Sequence, residues 1–141
     1  MSCIFCKIAE AEIPAKVVYE DDTVLAFLDI KPINPGHVLV IPKDHAESLA
    51  EISPEHLKCV AAAGRKVAEA LRQALSSKCE GVNLFLADGK AAGQEVGHIH
   101  LHVIPRYPGD GFGLKFPTHY GNIPQDETDA VHKKLRSLLE D

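Results

Sequence analysis

The chain has 141 residues, 45% of them hydrophobic, which is enough for one compact domain with its own core. A formal net charge of −5 argues against binding to nucleic acid polymers, which depends on basic residues that neutralise phosphates. No apolar run approaches the roughly 18 residues of a membrane span, so no membrane partner is expected. Four cysteines and an N-terminus without signal-peptide features predict a cytoplasmic protein with reduced thiols.

The first part of the chain predicts a short helix followed by three strands. Residues 3–11 carry apolar side chains at near-helical spacing, and this pattern stops before Pro14. The segments "KVVYE" and "TVLAFLDI" predict a hairpin that turns at Asp21 and Asp22. The proline-glycine turn "KPINPG" then leads into a third strand, "HVLVIP".

A long helix, two more strands and a final helix are predicted next. Ser53 and Pro54 suit the N-cap and the first helical position, and apolar residues recur at helical spacing for about 22 residues from there. The segments "GVNLFLAD" and "HIHLHVIP" predict strands on either side of the glycine-rich "GKAAGQEVG". An irregular tail ends in a helix over 126–140, with one apolar side made by Val131, Leu135, Leu138 and Leu139.

These elements together predict an α+β fold. Hairpin-linked strands with one long helix indicate a five-stranded antiparallel meander that the helix covers on one face. No repeat or linker divides the chain, so a single domain is expected over 1–141, with 107–141 as a C-terminal extension that ends in a helix.

Three of the eight histidines alternate with apolar residues in "GHIHLHV". On a strand, His98, His100 and His102 would point to one face, and we call them the histidine row. A row of imidazoles costs stability when it is buried without partners, and it adds nothing to packing when it is exposed. A chemical role is therefore favoured over a solvent-facing surface that carries histidines by chance.

The histidine row is compatible with a metal site or with nucleophilic catalysis. A single ion bound by the whole row is disfavoured, because His98 and His102 would originate about 13 Å apart on a strand, whereas zinc–nitrogen bonds are about 2 Å long. A neutral imidazole is a competent nucleophile near pH 7 when an acceptor holds the proton on Nδ1. His100, in the middle, is then the candidate nucleophile, and its neighbours would hydrogen-bond the electrophile and move protons.

A glycine-rich loop directly precedes the histidine row. Gly89, Gly93 and Gly97 allow close approach of the backbone, and N–H groups in such a loop suit phosphate oxygens. Lys90 could add positive charge. A simple hairpin connection would also explain the glycines, but their position next to the histidine row favours a phosphate site.

The segment "GHIHLHVIPR" resembles the histidine-triad (HIT) motif. The resemblance runs from "CIFCKI" through "EIPAKVVYEDD", "LAFLDI", "GHVLVIPKDH" and "AAGQEV" to Arg106, and is closest to the nucleoside phosphoramidase branch. It implies a homodimer whose sheets join across the interface and a purine nucleotide as substrate. The implied hydrolase cleaves the bond between a nucleoside 5′-monophosphoryl group and an amine or phosphate, as in adenosine phosphoramidates. A dinucleoside polyphosphate hydrolase and a nucleotide-binding interaction module with weak catalysis remain alternatives.

The resemblance also implies roles for individual residues. His100 would form a covalent nucleotidyl intermediate without any cofactor, His102 would lie against the phosphate, and His37 and His98 complete the catalytic set. Asp29 would hold the ribose hydroxyls. The remaining nucleotide contacts would be an apolar base pocket of Ile4, Phe5, Ile8, Ile13, Phe27 and Ile30, and a phosphate loop of Gly93, Gln94 and Glu95.

Three features depart from the family pattern. Ala87 stands where a side-chain amide usually contacts the phosphate, and Glu95 stands where a serine is common. The chain has no tryptophan, whereas eukaryotic relatives carry one near the C-terminus that reaches the partner's site. These departures leave the choice of substrate open.

A separate metal site is implied by the resemblance. In part of the family a CxxC pair, here Cys3 and Cys6, binds zinc together with histidines that correspond to His45 and His98. A Cys₂His₂ set is a normal structural zinc site, and it would attach the N-terminal segment to the catalytic strand. The alternative is two small buried side chains on a short helix.

Overall fold

A computed structural model describes residues 3–140 and divides the chain into two compact units, Met1–Asp110 and Gly111–Asp141. The single domain with an extension from residue 107 stays a prediction. None of the helices formed by residues 3–140 is long and apolar enough to cross a membrane.

The first unit contains the sheet, and the predicted elements are present in the predicted order. The strands are β1 (Val17–Glu20), β2 (Val24–Leu28), β3 (Val38–Pro42), β4 (Gly81–Leu86) and β5 (Leu101–Arg106). The helices are α1 (Ile4–Ala9), α2 (Pro54–Leu75) and, in the second unit, α3 (Gln125–Leu139). Short 3₁₀ turns cover Ser76–Lys78 and Lys90–Ala92. The predicted α+β class is confirmed.

The strand order is β1-β2-β3-β5-β4, and every neighbouring pair is antiparallel. A simple meander would place β4 beside β3, so the observed order corrects this part of the prediction. After β3 the chain passes through α2, which packs against β2, β3 and β5, and enters the sheet again at its outer edge as β4. The β4–β5 hairpin then brings β5 back to the interior position, where it pairs with β3.

Helix α2 covers one face of the sheet. The Ser53 side chain caps it by accepting a hydrogen bond from the His56 N–H at 3.1 Å. A Cβ atom at Gly64 would lie 2.6 Å from Leu101 Cδ2, so a larger residue at this position would require the Leu101 side chain to shift. The core under the helix is made by Val24, Ala26, Val38, Val40, Val60, Ala63, Val67, Leu71, Leu101 and Val103.

The opposite face of the sheet carries α1 and the histidines. Phe5 of α1 packs there against a second cluster that contains Leu25, Phe27, Leu39 and Ile41. His102 pairs with Leu39 across the β3–β5 ladder, so both side chains lie on this face. The long helix and the candidate chemistry are therefore on opposite sides of the sheet.

Strand β5 begins at Leu101, three residues later than predicted. The continued register would place Ile99 opposite Pro42, but proline has no N–H to donate to a ladder. The Ile99 N–H donates instead to Ala46 O at 2.8 Å. His98 and His100 consequently lie on a bent segment before the strand rather than in strict alternation along it.

The second unit contains α3 as its only helix among the described residues. The apolar residues that the sequence places on one side of it, Val131, Leu135, Leu138 and Leu139, are all exposed. Short sequence-local contacts, such as the stacked rings of Phe116 and Tyr120, hold the segment before the helix.

Candidate active site and metal centre

The structure brings three histidine rings together on the α1 side of the sheet, those of His37, His100 and His102, and places His98 next to them in the chain. His37 directly precedes β3, His98 and His100 directly precede β5, and His102 lies within β5. The ring centroids are 4.9 Å apart for His100 and His102, and 5.1 Å apart for His37 and His102. His37, His98 and His100 are buried, whereas His102 is half-buried. Three of the four residues predicted to be catalytic thus have their rings in one cluster, whereas the ring of His98 packs against His45 at a centroid distance of 5.0 Å.

The backbone determines which nitrogen of His100 carries the proton. Nδ1 of His100 lies 2.8 Å from the His98 carbonyl oxygen, which can only accept, so Nδ1 is the donor. The neutral ring therefore has its lone pair on Nε2. That nitrogen has no partner within residues 3–140, where every fully buried side-chain nitrogen or oxygen has one, so it is open to solvent. This is the protonation state that a nucleophile needs.

The same reasoning extends to His37 and His102. The Ile33 N–H donates to His37 Nδ1 at 3.0 Å, so the proton of the neutral ring is on Nε2. His37 Nε2 lies 2.9 Å from His102 Nδ1 and donates to it. His102 must then carry its own proton on Nε2, which has no partner in the described part of the chain and is available to a ligand.

Burial keeps these two rings neutral. It lowers the pKa of His37, although Asp29 opposes the shift. Burial, followed by the neighbouring His100 and His37, lowers the pKa of His102 from 6.5 to about 4, against a weaker opposing effect of Asp29. At pH 7 both rings are therefore neutral, as the chain of hydrogen bonds requires.

Asp29 lies at the edge of the histidine cluster. Its Oδ1 accepts the Lys31 N–H at 2.9 Å, and its Oδ2 lies 3.7 Å from His37 Nε2. Asp29, His37 and His102 are close enough to one another to bind an ion. However, the proton on His37 Nε2 leaves that ring without a free lone pair, so this trio is suited to hydrogen bonding rather than to metal ligation.

Only part of the predicted base pocket is assembled around the histidines. Phe5 contacts the His100 ring edge-on at a centroid distance of 5.1 Å and the Phe27 ring at 5.6 Å, and Ile8 packs in the same cluster. Ile13 is half-buried outside this cluster. Ile4 and Ile30 are exposed, Ile30 by 90% of its surface.

The glycine-rich loop is held by the side chain of Gln94. Its Oε1 accepts the Gly89 N–H at 2.8 Å, and its Nε2 donates to Glu47 O at 2.8 Å and to Val96 O at 3.0 Å. The amide is therefore fully engaged in shaping the loop. Gly93 has a φ of 93°, a left-handed conformation that favours glycine.

Three successive backbone donors follow this turn. The N–H groups of Glu95, Val96 and Gly97, directly before His98, have no acceptor within residues 3–140. Consecutive free N–H groups next to a turn are suited to an anion. Ala87, which replaces the family's amide, is buried, so these backbone groups are the candidate phosphate donors on this side.

Two cysteines and two histidines form a second cluster next to the first. Nδ1 of His98 lies 3.4 Å from Cys3 Sγ, 3.6 Å from Cys6 Sγ and 3.2 Å from His45 Nδ1. Cys6 Sγ lies 3.3 Å from His45 Nδ1. The four ligand atoms are all within 4.8 Å of one another. The structure thus brings together every residue predicted to bind zinc.

The geometry of this cluster fits a tetrahedral zinc ion. Bonds of about 2.3 Å to sulfur and about 2.0–2.1 Å to nitrogen would separate the ligand atoms by about 3.3–3.8 Å, close to the distances in the cluster. His98 Nε2 donates to Pro42 O at 2.8 Å, so its lone pair is on Nδ1 and points into the cluster. The donor set and the tautomer of His98 therefore both suit zinc.

Sequence analysis missed Asn34 and the backbone N–H of Ile33. Asn34 is 7% exposed, and its Nδ2 donates to Pro105 O at 2.9 Å and to Asp110 Oδ2 at 2.8 Å. The only signal in the sequence is one amide side chain in the turn "KPINPG", where asparagine is common for local reasons.

Comparison with known proteins gives matches along most of the chain. The family model described as the HIT domain matches residues 10–109. The chain is 37% identical over 139 residues to the adenosine 5'-monophosphoramidase of Schizosaccharomyces pombe, with 99% of each chain covered. A crystal structure of a HIT family protein from Bacillus subtilis superposes with a TM-score of 0.88 and 40% identity, covering 100% of this chain and 99% of that one. A zinc-bound histidine triad protein from Mycobacterium smegmatis has a TM-score of 0.76 and 40% identity, with 98% of each chain covered.

Proposed function

The chain belongs to the HIT family and is a hydrolase of the HIT type, and from this premise we propose that it hydrolyses nucleoside 5′-phosphoramidates through a nucleotidyl-His100 intermediate. The observation that carries this proposal is the state of His100: a solvent-accessible Nε2 lone pair set by the Nδ1 hydrogen bond to His98 O. The similar S. pombe protein is named as an adenosine phosphoramidase, which supports adenosine phosphoramidates as the substrate class.

The reaction follows from the tautomers. Nε2 of His100 forms a bond to phosphorus while the phosphorus–nitrogen bond to the leaving amine breaks, and the leaving nitrogen takes up a proton from solvent. The Nε2–H of His102 donates to a phosphoryl oxygen and stabilises its negative charge. Water then attacks phosphorus and releases a proton to solvent, the bond to His100 breaks with its electron pair returning to Nε2, and a nucleoside 5′-monophosphate leaves.

Three further sets of groups would hold the nucleotide. The free N–H groups of Glu95, Val96 and Gly97 would bind phosphate oxygens in place of the amide that Ala87 lacks. Asp29 would accept hydrogen bonds from the ribose hydroxyls through Oδ2 while Oδ1 holds the Lys31 N–H. Phe5, Ile8 and Phe27 supply apolar surface for the base.

The covalent step is tested by trapping the intermediate. Turnover of adenosine phosphoramidate, quenched within the first catalytic cycles, should yield a peptide with one adenylyl group on His100 by mass spectrometry. A protein that turns the substrate over at an ordinary enzymatic rate without any adenylylated peptide under these conditions would contradict the proposal.

The buried Ala87 favours a second candidate, a nucleotide-binding module with weak catalysis, because a phosphate-contacting side chain is missing. The two candidates differ in rate. Turnover of adenosine phosphoramidate on the order of 1 per second supports the enzyme, and nucleotide binding without such turnover supports the module. Dinucleoside polyphosphates assayed in parallel identify the preferred leaving group, a phosphate or an amine.

We also propose that Cys3, Cys6, His45 and His98 hold a structural zinc ion. When bound, zinc would supply a crosslink and no chemistry for the reaction. That crosslink joins α1, which carries Phe5, to the segment that carries His98 and His100. The cysteines are free thiols, as zinc ligation requires, and reduced thiols also fit the proposed cytoplasmic location.

A homodimer through β4 completes the proposal. The sheet has two edge strands, and β1 is short and interrupted by an irregular register between Val17 and Tyr19, which discourages pairing. Strand β4 has six residues in regular register, with Leu84 exposed by 52% and Phe85 by 46%. An apolar edge strand of this kind favours pairing with a second copy.

Leu84→Lys should therefore convert a dimer into a monomer, because a charge would be buried in the interface. Light scattering coupled to size exclusion measures the mass of the wild-type and variant proteins at the same concentration. Val18→Lys, on the exposed surface of the other edge strand, is the matched control and should remain dimeric. A wild-type monomer, or a dimer that only Val18→Lys disrupts, would refute an interface at β4.

A further inference from the structure

We propose that the buried side chain of Asn34 is a positioning residue: it orients the Ile33 N–H, which sets the tautomer of His37 and thereby the N–H that His102 presents to the substrate. The inference rests on the proposed function for its effect on catalysis. Its structural part, the tautomer of His37, can be measured without any turnover.

Asn34 joins the turn before β3 to the end of β5. Both protons of its Nδ2 are used, one on Pro105 O at 2.9 Å and one on Asp110 Oδ2 at 2.8 Å. Its backbone oxygen accepts the His37 N–H at 3.1 Å. A buried amide with both donors satisfied holds its backbone in one orientation, because releasing it would leave polar groups buried without partners.

Asp110, which accepts a hydrogen bond from Asn34, is itself held by further hydrogen bonds. Arg106 binds Asp110 in a bidentate pair, with Nε–Oδ2 at 2.8 Å and Nη2–Oδ1 at 2.9 Å. The Tyr107 N–H adds a third donor to Asp110 Oδ2 at 3.1 Å. The Tyr107 hydroxyl donates to Pro35 O at 2.6 Å, which tethers the same turn at the residue after Asn34.

The turn held in this way supplies the first donor of the histidine chain. The Ile33 N–H donates to His37 Nδ1, and this bond keeps the His37 proton on Nε2. If the Ile33 N–H turned away, His37 could carry its proton on Nδ1, and two lone pairs would face each other between His37 Nε2 and His102 Nδ1, which are 2.9 Å apart. His102 would relieve this by moving its proton to Nδ1.

The consequence for the substrate is that the nitrogen facing the phosphoryl group changes from a hydrogen-bond donor to an acceptor. In the observed arrangement, His102 presents an N–H to the phosphoryl group. In the alternative arrangement it presents a lone pair, which repels a phosphoryl oxygen. The side chain of Asn34 bonds Pro105 O and Asp110 Oδ2 and no reacting atom, so its influence on the reaction would pass through the Ile33 N–H and the two histidines.

The test combines histidine tautomers with kinetics. In ¹⁵N-histidine-labelled wild-type protein at pH 7, we expect Nδ1 of His37 to show the shift of an unprotonated nitrogen and Nε2 that of a protonated one. Asn34→Ala should mix the two tautomers at both His37 and His102. It should lower kcat about 10- to 100-fold, as expected for slight mispositioning of a catalytic group, while nucleotide affinity stays within a few-fold.

Two further variants separate positioning from a general loss of stability. Tyr107→Phe removes one hydrogen bond that holds the same turn. It should change the tautomer populations of His37 and His102 in the same direction as Asn34→Ala but by less, which keeps the test informative if Asn34→Ala does not fold. Val60→Ala creates a cavity under α2, on the opposite face of the sheet, and should lower the melting temperature without changing either tautomer.

Unchanged tautomers in folded Asn34→Ala, or in Tyr107→Phe if Asn34→Ala does not fold, would overturn the inference, whatever happens to kcat. A tautomer change without any effect on turnover would overturn the inferred effect of Asn34 on catalysis. Failure of the proposed function gives a different result: the wild-type tautomers are as described, but no adenylylated His100 forms.

Discussion

Replacing His100 by alanine should lower kcat for adenosine phosphoramidate by at least about 10³-fold, because removal of a covalent nucleophile leaves only the binding and electrostatic contributions. The affinity for AMP should stay within a few-fold, since Phe27, Asp29 and the loop N–H groups are unchanged. Steady-state kinetics and calorimetric titration with AMP measure the two quantities on the same preparation.

Two variants make this result specific. His100→Asn keeps a side-chain donor for the His98 carbonyl oxygen but has no nucleophilic nitrogen, so it should lose kcat to the same extent while preserving the local hydrogen bond. His132→Ala removes an exposed histidine of α3 and should behave like the wild type. Turnover in His100→Ala that stays within about tenfold of the wild type would show that another group attacks phosphorus.

Most of the fold could be predicted because its patterns are local. Ser53 and Pro54 mark the start of α2, and the apolar spacing after them defines its length, so the prediction of about 22 residues from Pro54 is confirmed. The strands of the first hairpin are likewise confirmed by their apolar runs on either side of Asp21 and Asp22. Strand order could not be predicted in this way, because pairing between β3 and β5 depends on contacts between distant parts of the chain.

In the candidate site, too, the features that depend on local sequence patterns were predicted, and those that depend on contacts between distant residues were not. The alternation of histidines predicted which residues form the candidate site, and the acceptor that was expected to hold the proton on His100 Nδ1 is His98 O. The early end of the β3–β5 ladder at the Val40–Leu101 pair was not predicted, because it depends on Pro42 standing opposite Ile99 in the continued register. The contacts of Asn34 and Gln94 were also missed, since most of their partners are backbone groups, which leave no trace in composition, and Asp110 lies 76 residues from Asn34 in the sequence.

His98 connects the two clusters of the site. Its Nδ1 faces Cys3, Cys6 and His45, its Nε2 donates to Pro42 O, and its carbonyl oxygen accepts the Nδ1 proton of His100. Phe5, which lies between the two cysteines, packs edge-on against the rings of both His98 and His100. The proposed zinc ion would therefore stabilise the N-terminal helix and the surroundings of the nucleophile together.

The wild-type protein should bind about one zinc ion per chain, and Cys6→Ser should bind none, because a structural tetrahedral site requires all four ligands. Loss of the crosslink between α1 and the β5 segment should cost on the order of 3 kcal/mol and lower the melting temperature by about 10 °C. Metal analysis of the purified proteins and thermal melts with and without a chelator measure both effects. Cys59→Ser is the matched control: it removes a half-buried thiol on α2, away from the cluster, and should retain the zinc and a chelator-sensitive melt. A wild-type protein that binds no zinc, or whose melting is the same with chelator and in Cys6→Ser, would show that the four residues pack together without a metal.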